Sequence, residues 1–302
     1  MMKGYIMPNY KDTIKEMLLK TTYEVSDDCD FLLRKAFENE NDESAKMLLQ
    51  TIVRNIDLAK EAKKPLCQSP GYVTIYVAGK ELFIEDLEDI LKEAIVEATA
   101  QGYCRPSIVD PLTRKNNGDN SGYRAPNIEY EYRKDVDYVE VIASFKGCGV
   151  ELFNRMHVFT LPEMGTNYDG IKKFVLECVS NAGGKTCLPV AIGIGIGGQV
   201  DVAAKLSRKA VSTRSWLERN SEGYIADMEN ELLEKINSLN IGSGGMGGRV
   251  TALAVNIETA ATHTAICPVV VNFHCWVARR AGVRIYRDGR VEYIKFSSNM
   301  WA

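Results

Sequence analysis

Apolar residues recur three and four positions apart between Tyr10 and Lys64, as in Ile14, Met17, Leu18 and again Met47, Leu48, Ile52, Ile56. With no proline after Pro8, this spacing predicts a helical N-terminal region over residues 1–64. The segment from Pro65 to Gly71 breaks the pattern, and the β-branched and aromatic run Tyr72 to Val77 predicts a strand. Ile84 to Ala100 reads as an acidic amphipathic helix. The polar, Asn- and Gly-containing stretch Asp110 to Asn127 reads as a loop, with strands at Ile128 to Tyr132 and Tyr138 to Phe145 after it. Further on, helices are predicted near Gly170 to Asn181, Val200 to Ser212 and Ile225 to Leu239. Strands are predicted at Val190 to Ile196, Thr251 to Ile257, Val269 to Phe273 and Val283 to Tyr286, and the glycines from Gly242 to Gly248 act as a breaker.

This order predicts a mixed α/β fold in which a helical N-terminal region precedes strand–helix units over residues 65–302. No polar linker separates these units, so they are expected to form one compact body. Across 302 residues, 45% hydrophobic and 25% charged positions are enough for a buried core and exclude a disordered chain. A net charge of −3 leaves no basic surplus for phosphates, so nucleic acid is not an expected partner. The most apolar stretches, Leu188 to Ile196 and Ala265 to Val277, are too short or interrupted to span a bilayer, and the first residues lack a secretory pattern. A cytoplasmic location is expected, where eight cysteines stay reduced and each needs a packing, catalytic or metal role.

Three of those cysteines sit in short segments with the composition of a site: Pro65-Leu66-Cys67-Gln68, Lys185-Thr186-Cys187-Leu188-Pro189 and Phe273-His274-Cys275-Trp276. Three thiolates can hold an iron–sulfur cluster and leave one iron open. Two other motifs compete. Gly193-Ile194-Gly195-Ile196-Gly197-Gly198 fits a dinucleotide fingerprint between a strand and a helix, which keeps a nucleotide-binding oxidoreductase as an alternative. The region where the ribose-binding acid would follow, Ser212 to Asn220, is basic and polar. Gly184-Lys185-Thr186 fails as a phosphate loop, because Val179 stands where a glycine is needed.

Taken in order, the segments resemble a known family. They are Pro65-Leu66-Cys67-Gln68, Asp110-Pro111-Leu112 with Asn117-Gly118-Asp119-Asn120, Lys146-Gly147-Cys148-Gly149, Cys187-Leu188-Pro189 with the glycine run, Ala203 to Ala210, Ile257-Glu258-Thr259-Ala260 with His263, and Cys275 to Arg280. The chain resembles the α subunits of class I iron–sulfur fumarate hydratases and L(+)-tartrate dehydratases, nearly from its start to Tyr286. The resemblance implies a [4Fe-4S] cluster on Cys67, Cys187 and Cys275 whose fourth iron takes the substrate's carboxylate and hydroxyl. It implies substrate contacts from Gln68, Arg105 and Gly149, and a catalytic role for His263. The reaction implied is reversible dehydration of a C4 hydroxy-dicarboxylate.

The sequence departs from that family around the pocket. Where the fumarases usually have Asp-Thr-Gly after the first cysteine and Gln, this chain has Ser69-Pro70-Gly71, so Ser69 takes the place of a carboxylate. A hydroxyl relays a proton but is no carboxylate base. Val150-Glu151-Leu152 replaces Ser-Glu-Asn, and Asn117 and Ser121 replace threonines. An altered substrate preference is the expectation, with a non-catalytic scaffold as the other reading. The chain stops at Ala302, short of the second domain of single-chain members, so the resemblance implies a separate β subunit and an α2β2 heterotetramer. Cys29, Cys104, Cys148, Cys178 and Cys267 are expected to pack, Cys148 nearest the site. His157 and His274 are expected to be structural, and Arg279 and Arg280 a solvated pair.

Overall fold

The computed structural model describes residues 10–67 and 72–297. Its elements in chain order are α1 (Tyr10–Tyr23), α2 (Asp27–Asn39), α3 (Glu43–Ala62), β1 (Tyr72–Gly79), α4 (Leu87–Ala100), β2 (Asn127–Tyr132) and β3 (Tyr138–Lys146). There follow α5 (Cys148–Glu151), β4 (Arg155–Thr160), α6 (Leu161–Met164), α7 (Asp169–Ala182), β5 (Val190–Gly197), α8 (Val200–Thr213) and α9 (Gly223–Ser238). The last strands are β6 (Ala252–Ala260), β7 (Ile266–Cys275), β8 (Arg279–Tyr286) and β9 (Val291–Tyr293). The predicted mixed α/β class holds. The predicted N-terminal region is three helices, and their residues contribute to both of two compact units.

The first unit takes residues up to Glu24 with Ala59–Phe145 and Arg279–Lys295. Its sheet runs β2-β1-β3-β8-β9, with β1 and β2 parallel and β3, β8 and β9 antiparallel in turn. Apolar residues of α1 (Ile14, Met17, Leu18) and α4 (Leu91, Ile95) join Ile75, Val141 and Ile285 of the strands in one buried cluster. Helical and alternating periodicities thus converge on the same core, which is the reason these segments adopt these elements. Beyond α4, Asn120 is buried and fixes the turn that carries Arg105. Its Oδ1 accepts the N–H groups of Ser107 (2.7 Å) and Ile108 (3.2 Å), and its Nδ2 donates to Thr99 Oγ1 (3.0 Å) and Arg105 O (2.9 Å). All four hydrogen-bonding positions of the amide are used.

The second unit takes Val25–Leu58, Lys146–Ala278 and the residues from Phe296. Its sheet runs β4-β7-β5-β6, with β5 and β6 parallel and β7 antiparallel to both β5 and β4. Helix α8 lies on the face that carries Gly193 and Gly195. A Cβ at Gly193 would stand 2.0 Å from Ser207 O, and one at Gly195 1.9 Å from Ala203 O. The alternating glycines therefore let a helix backbone rest directly on a strand, a packing device written in a motif that sequence reading associates with nucleotides. Helix α9 packs on β6 and α7 packs on α9.

Three outcomes are expected. Gly195→Ala forces a methyl into the Ala203 carbonyl and should cost about 1–3 kcal/mol or more of unfolding free energy. Gly223→Ala, whose Cβ would meet nothing among the described residues within 4 Å, should be near neutral, and urea titration of both variants checks this. Asn120→Ala leaves buried partners unsatisfied at about 1–3 kcal/mol. Hydrogen exchange should show the Ser107 and Ile108 amides losing protection, while unchanged protection there would contradict the role given to Asn120.

Candidate functional site

The register of the second sheet decides which candidate residues meet. Val190 pairs with Cys275, and Cys187 lies three residues ahead of Val190, so Cys187 and Cys275 stand at one end of β5 and β7. The 3₁₀ turn Gly183–Thr186 that leads into Cys187 packs against α5 and β7. α5 begins at Cys148, directly after Gly147, and a Cβ on Gly147 would lie 3.9 Å from Cys275 Sγ. Two thiols and the Gly147-Cys148-Gly149 turn thus occupy one corner of the unit. Cys187 is exposed and has a left-handed backbone (φ 55°), whereas Cys275 is buried. The glycine cluster supports this corner: a Cβ on Gly184 would press on Gly244 O and Gly245 Cα, each 3.0 Å away, and Gly244 N donates to Leu188 O at 3.2 Å.

Beneath the corner lies a charged network that sequence reading did not single out. Lys146, only 2% exposed, directs Nζ at Glu151 Oε1 (2.9 Å) and donates to Asn272 Oδ1, and Arg208 Nη2 reaches the same Glu151 oxygen at 2.7 Å. Asn154 Nδ2 donates to Glu151 Oε2 at 2.9 Å, and its Oδ1 accepts the Phe273 N–H at 3.1 Å. Burial pulls the Lys146 ammonium down to about 8 against the opposing pull of Glu151. The two cations beside it, aided by hydrogen bonds, hold the Glu151 carboxyl below its ordinary range although burial pushes the other way. The one signal in the sequence was Lys146 at the head of Lys-Gly-Cys-Gly, and a lysine at a strand end reads by default as solvated.

The remaining candidates lie elsewhere. Cys67 follows α3 in the first unit and is half-buried; Gln68 and Ser69 lie outside the described residues. Arg105 is exposed on the turn held by Asn120. Gly149 is exposed, and a Cβ there would meet no atom of the described residues within 4 Å, so packing among them does not demand this glycine. His263 is exposed in the β6–β7 turn, with Nδ1 accepting the Ala265 N–H at 3.2 Å. Gly197 pairs with Ala260 at that end of the sheet, and Val190 with Cys275 at the other. Seven strand steps, about 23 Å, separate the two ends. Within this unit the structure brings Cys187, Cys275 and Gly149 together and leaves His263 apart.

Two expectations are corrected. Arg279 and Arg280 are 2% and 3% exposed on β8 rather than solvated, because the strand they open is covered on both faces. Cys148 is exposed, since it starts a one-turn helix at the sheet's end instead of packing. Cys104 and Cys178 are buried, which raises both thiols to about 11, and Cys267 is buried and raised as well; Cys29 is buried and directs its thiol to Trp276 O. His274 is fully buried against Trp216, and His157 packs on Phe159 and Phe174.

The dinucleotide reading fares differently. A cavity of about 330 Å3 lies at the Gly197 and Ala260 end, but Met164, Tyr168, Ile196, Tyr224, Ile257 and Cys267 give it an apolar and aromatic lining. The segment where a ribose-binding acid would stand is tied down by Glu229. That buried carboxylate accepts Asn220 N–H at 2.8 Å, Ile257 N–H at 2.7 Å and Arg214 Nη1 at 2.9 Å. Among the described residues, no three His, Cys, Asp or Glu side chains form a metal-sized group, and no helix is long and apolar enough to cross a membrane.

Comparison with known proteins points to hydro-lyases rather than to nucleotide-binding oxidoreductases. A protein of Methanocaldococcus jannaschii provisionally named L(+)-tartrate dehydratase subunit alpha is 40% identical over 285 residues, 93% of this chain and 99% of that one. The L(+)-tartrate dehydratase subunit alpha of Escherichia coli strain UTI89 is 33% identical over 258 residues, 85% of this chain and 84% of that one. Its counterpart in strain K12 is 32% identical over the same span. The sequence model of the fumarate hydratase (Fumerase) family matches residues 11–284, so the chain belongs to the fumarate hydratase family.

Proposed function

We propose that the chain is the α subunit of an iron–sulfur hydro-lyase that removes water from a C4 hydroxy-dicarboxylate, with L(+)-tartrate the favoured substrate. The observation that carries the reading is the end-to-end similarity to a tartrate dehydratase α-subunit relative, 93% of this chain against 99% of that one. The word subunit in the relatives' names supports a β partner, and we extend this to an α2β2 assembly. Ser69 in place of the carboxylate usual in the fumarases supports a substrate preference other than fumarate, and the relatives' names favour tartrate.

Thiolate sulfur is the donor that iron–sulfur clusters take. Two cysteines at one sheet corner, over a buried lysine and a half-buried arginine, suit an anionic cluster. Cys67, Cys187 and Cys275 are the proposed ligands. Bound there, a [4Fe-4S] cluster supplies Lewis acidity at an iron without a protein ligand. The chain's own residues do the rest. Arg105 grips a substrate carboxylate through paired N–H donors, with its turn braced by Asn120. Gly149 offers a backbone N–H where no side chain intervenes, Gln68 donates to substrate oxygen, and Ser69 relays a proton. His263 keeps the catalytic role implied by resemblance only as a proposal. In the reaction a C–H bond and the neighbouring C–O bond break, and tartrate leaves as the enol of oxaloacetate plus one water. Such an enzyme works in a reducing compartment, so the cytoplasm is the proposed location.

Co-expressed anaerobically with its β partner and assayed for tartrate, malate and fumarate, the protein should turn over L(+)-tartrate with the highest kcat/KM. Arg105→Met should raise the KM for tartrate about tenfold or more, as expected for a lost charged hydrogen bond of about 1.5–3 kcal/mol. No dehydration of any of the three acids by the complete enzyme would refute the proposal.

A further inference from the structure

The two most exposed large apolar side chains of the described residues, Leu112 (90%) and Tyr123 (89%), stand on one loop, the one that also carries Arg105. A single exposed leucine is ordinary, but here each apolar side chain lies on a hydrogen-bonded turn. In the first turn Asp110 Oδ1 accepts the N–H groups of Leu112 (3.0 Å) and Thr113 (2.6 Å), and the Asp110 N–H donates to Lys115 O at 2.9 Å. In the second, Gly122 and Ala125 exchange two backbone hydrogen bonds of 3.2 Å, and Tyr72 Oη donates to Arg124 O. Asn116 Nδ2 reaches Pro106 O at 3.1 Å, next to Arg105. The loop is thus ordered from within by polar contacts, while its two large apolar side chains remain in water. It is also basic in a chain of net charge −3. Between residues 105 and 126 stand Arg105, Arg114, Lys115 and Arg124 against Asp110 and Asp119. Both carboxylates accept hydrogen bonds inside the loop, Asp119 from the N–H and the hydroxyl of Ser121 at 2.9 Å each. The cations are exposed, and the Arg124 guanidinium lies 5.3 Å from the centre of the Tyr123 ring.

We propose that loop 105–126 is the surface on which the β partner docks, through apolar pockets for Leu112 and Tyr123 and carboxylates facing Arg114, Lys115 and Arg124. The existence of that partner rests on the α-subunit reading given above. Charge chooses the occupant. A second copy of the chain meeting this loop by two-fold symmetry would set its cations against themselves, whereas a different chain is free to supply carboxylates. Arg105 points the same way. It is exposed, and a substrate carboxylate gripped in open water is held weakly because solvent screens the pair. A partner seated on the same loop excludes that water. Because the turns are ordered before binding, Leu112 and Tyr123 lose little backbone freedom when they are covered, and such preorganised anchors carry most of an interface's affinity.

Purified anaerobically and mixed with its β partner, the wild-type chain should form a complex whose dissociation constant is read by biolayer interferometry. Leu112→Ser and Tyr123→Ser should each weaken binding about tenfold or more, and Leu112→Met should stay near wild type. Arg114→Glu combined with Lys115→Glu should weaken it as well, with a loss that shrinks at high ionic strength. All four side chains stand in water, so the urea midpoints of the variants should match the wild type, which separates a lost contact from a lost fold. Equal affinity in the wild type and every loop variant would overturn the docking surface and leave the α-subunit reading standing. Loop variants that lose self-association yet keep the β partner would assign the surface to a second copy and overturn it too. A wild-type chain that binds no β partner would refute the α-subunit reading and this inference together.

Discussion

The pairing of β5 with β7, register Val190 to Cys275, is the constraint from which the candidate site follows. Side chains alternate along a strand, so a slip of one residue would turn Cys275 to the other face and exchange the apolar row Val269, Val271, Phe273 for Val270, Asn272, His274. Both rows are buried, one among apolar neighbours and the other against α8, and neither environment suits the other's residues. Asn272 receives Lys146, and His274 packs on Trp216. A slip would strand a buried ammonium, so the register is held by polar satisfaction as much as by apolar burial.

The same logic accounts for the glycines. Those at 193 and 195 admit α8 onto the sheet, and Gly184 with Gly244 and Gly245 admits two turns onto each other behind Cys187. Each is a point of close backbone approach, where a Cβ would collide with main-chain atoms that have nowhere to go. The consequence for chemistry is rigidity. Cys187 is carried on a short turn wedged between neighbouring turns rather than on a free loop, and Cys275 ends a strand paired along its length. Sites built on such supports hold their geometry better than sites on loops.

Much of this was legible in the sequence, and the misses share a cause. Periodicity located the helical N-terminal region, without its division into three helices, and α4, α7 to α9 and the buried strands, because their apolar faces meet a core. It missed β4, an edge strand whose Arg155, Met156, His157 and Val158 are all exposed, and the one-turn helix α5, too short to show a period. Cys187 and Cys275 were identifiable from their flanking residues. The Lys146, Glu151, Arg208 and Asn272 network was not, since its members come from four separate segments and each reads alone as an ordinary polar residue. Arg279 and Arg280 were misread for the same reason: a charged pair in sequence looks solvated until the burial of its strand is known. The glycine run shows the opposite error, a motif that matches a ligand fingerprint while its spacing serves helix packing.

Membership of the fumarate hydratase family and the cysteine corner support one proposal, that Cys187 and Cys275 are ligands of one iron–sulfur cluster. Iron and acid-labile sulfide per chain, measured on anaerobically purified wild type, Cys187→Ala and Cys275→Ala, tests it most directly. The account predicts about four of each in the wild type and their loss in either variant. Wild-type protein without iron after anaerobic reconstitution, or variants that keep the full complement, would contradict it.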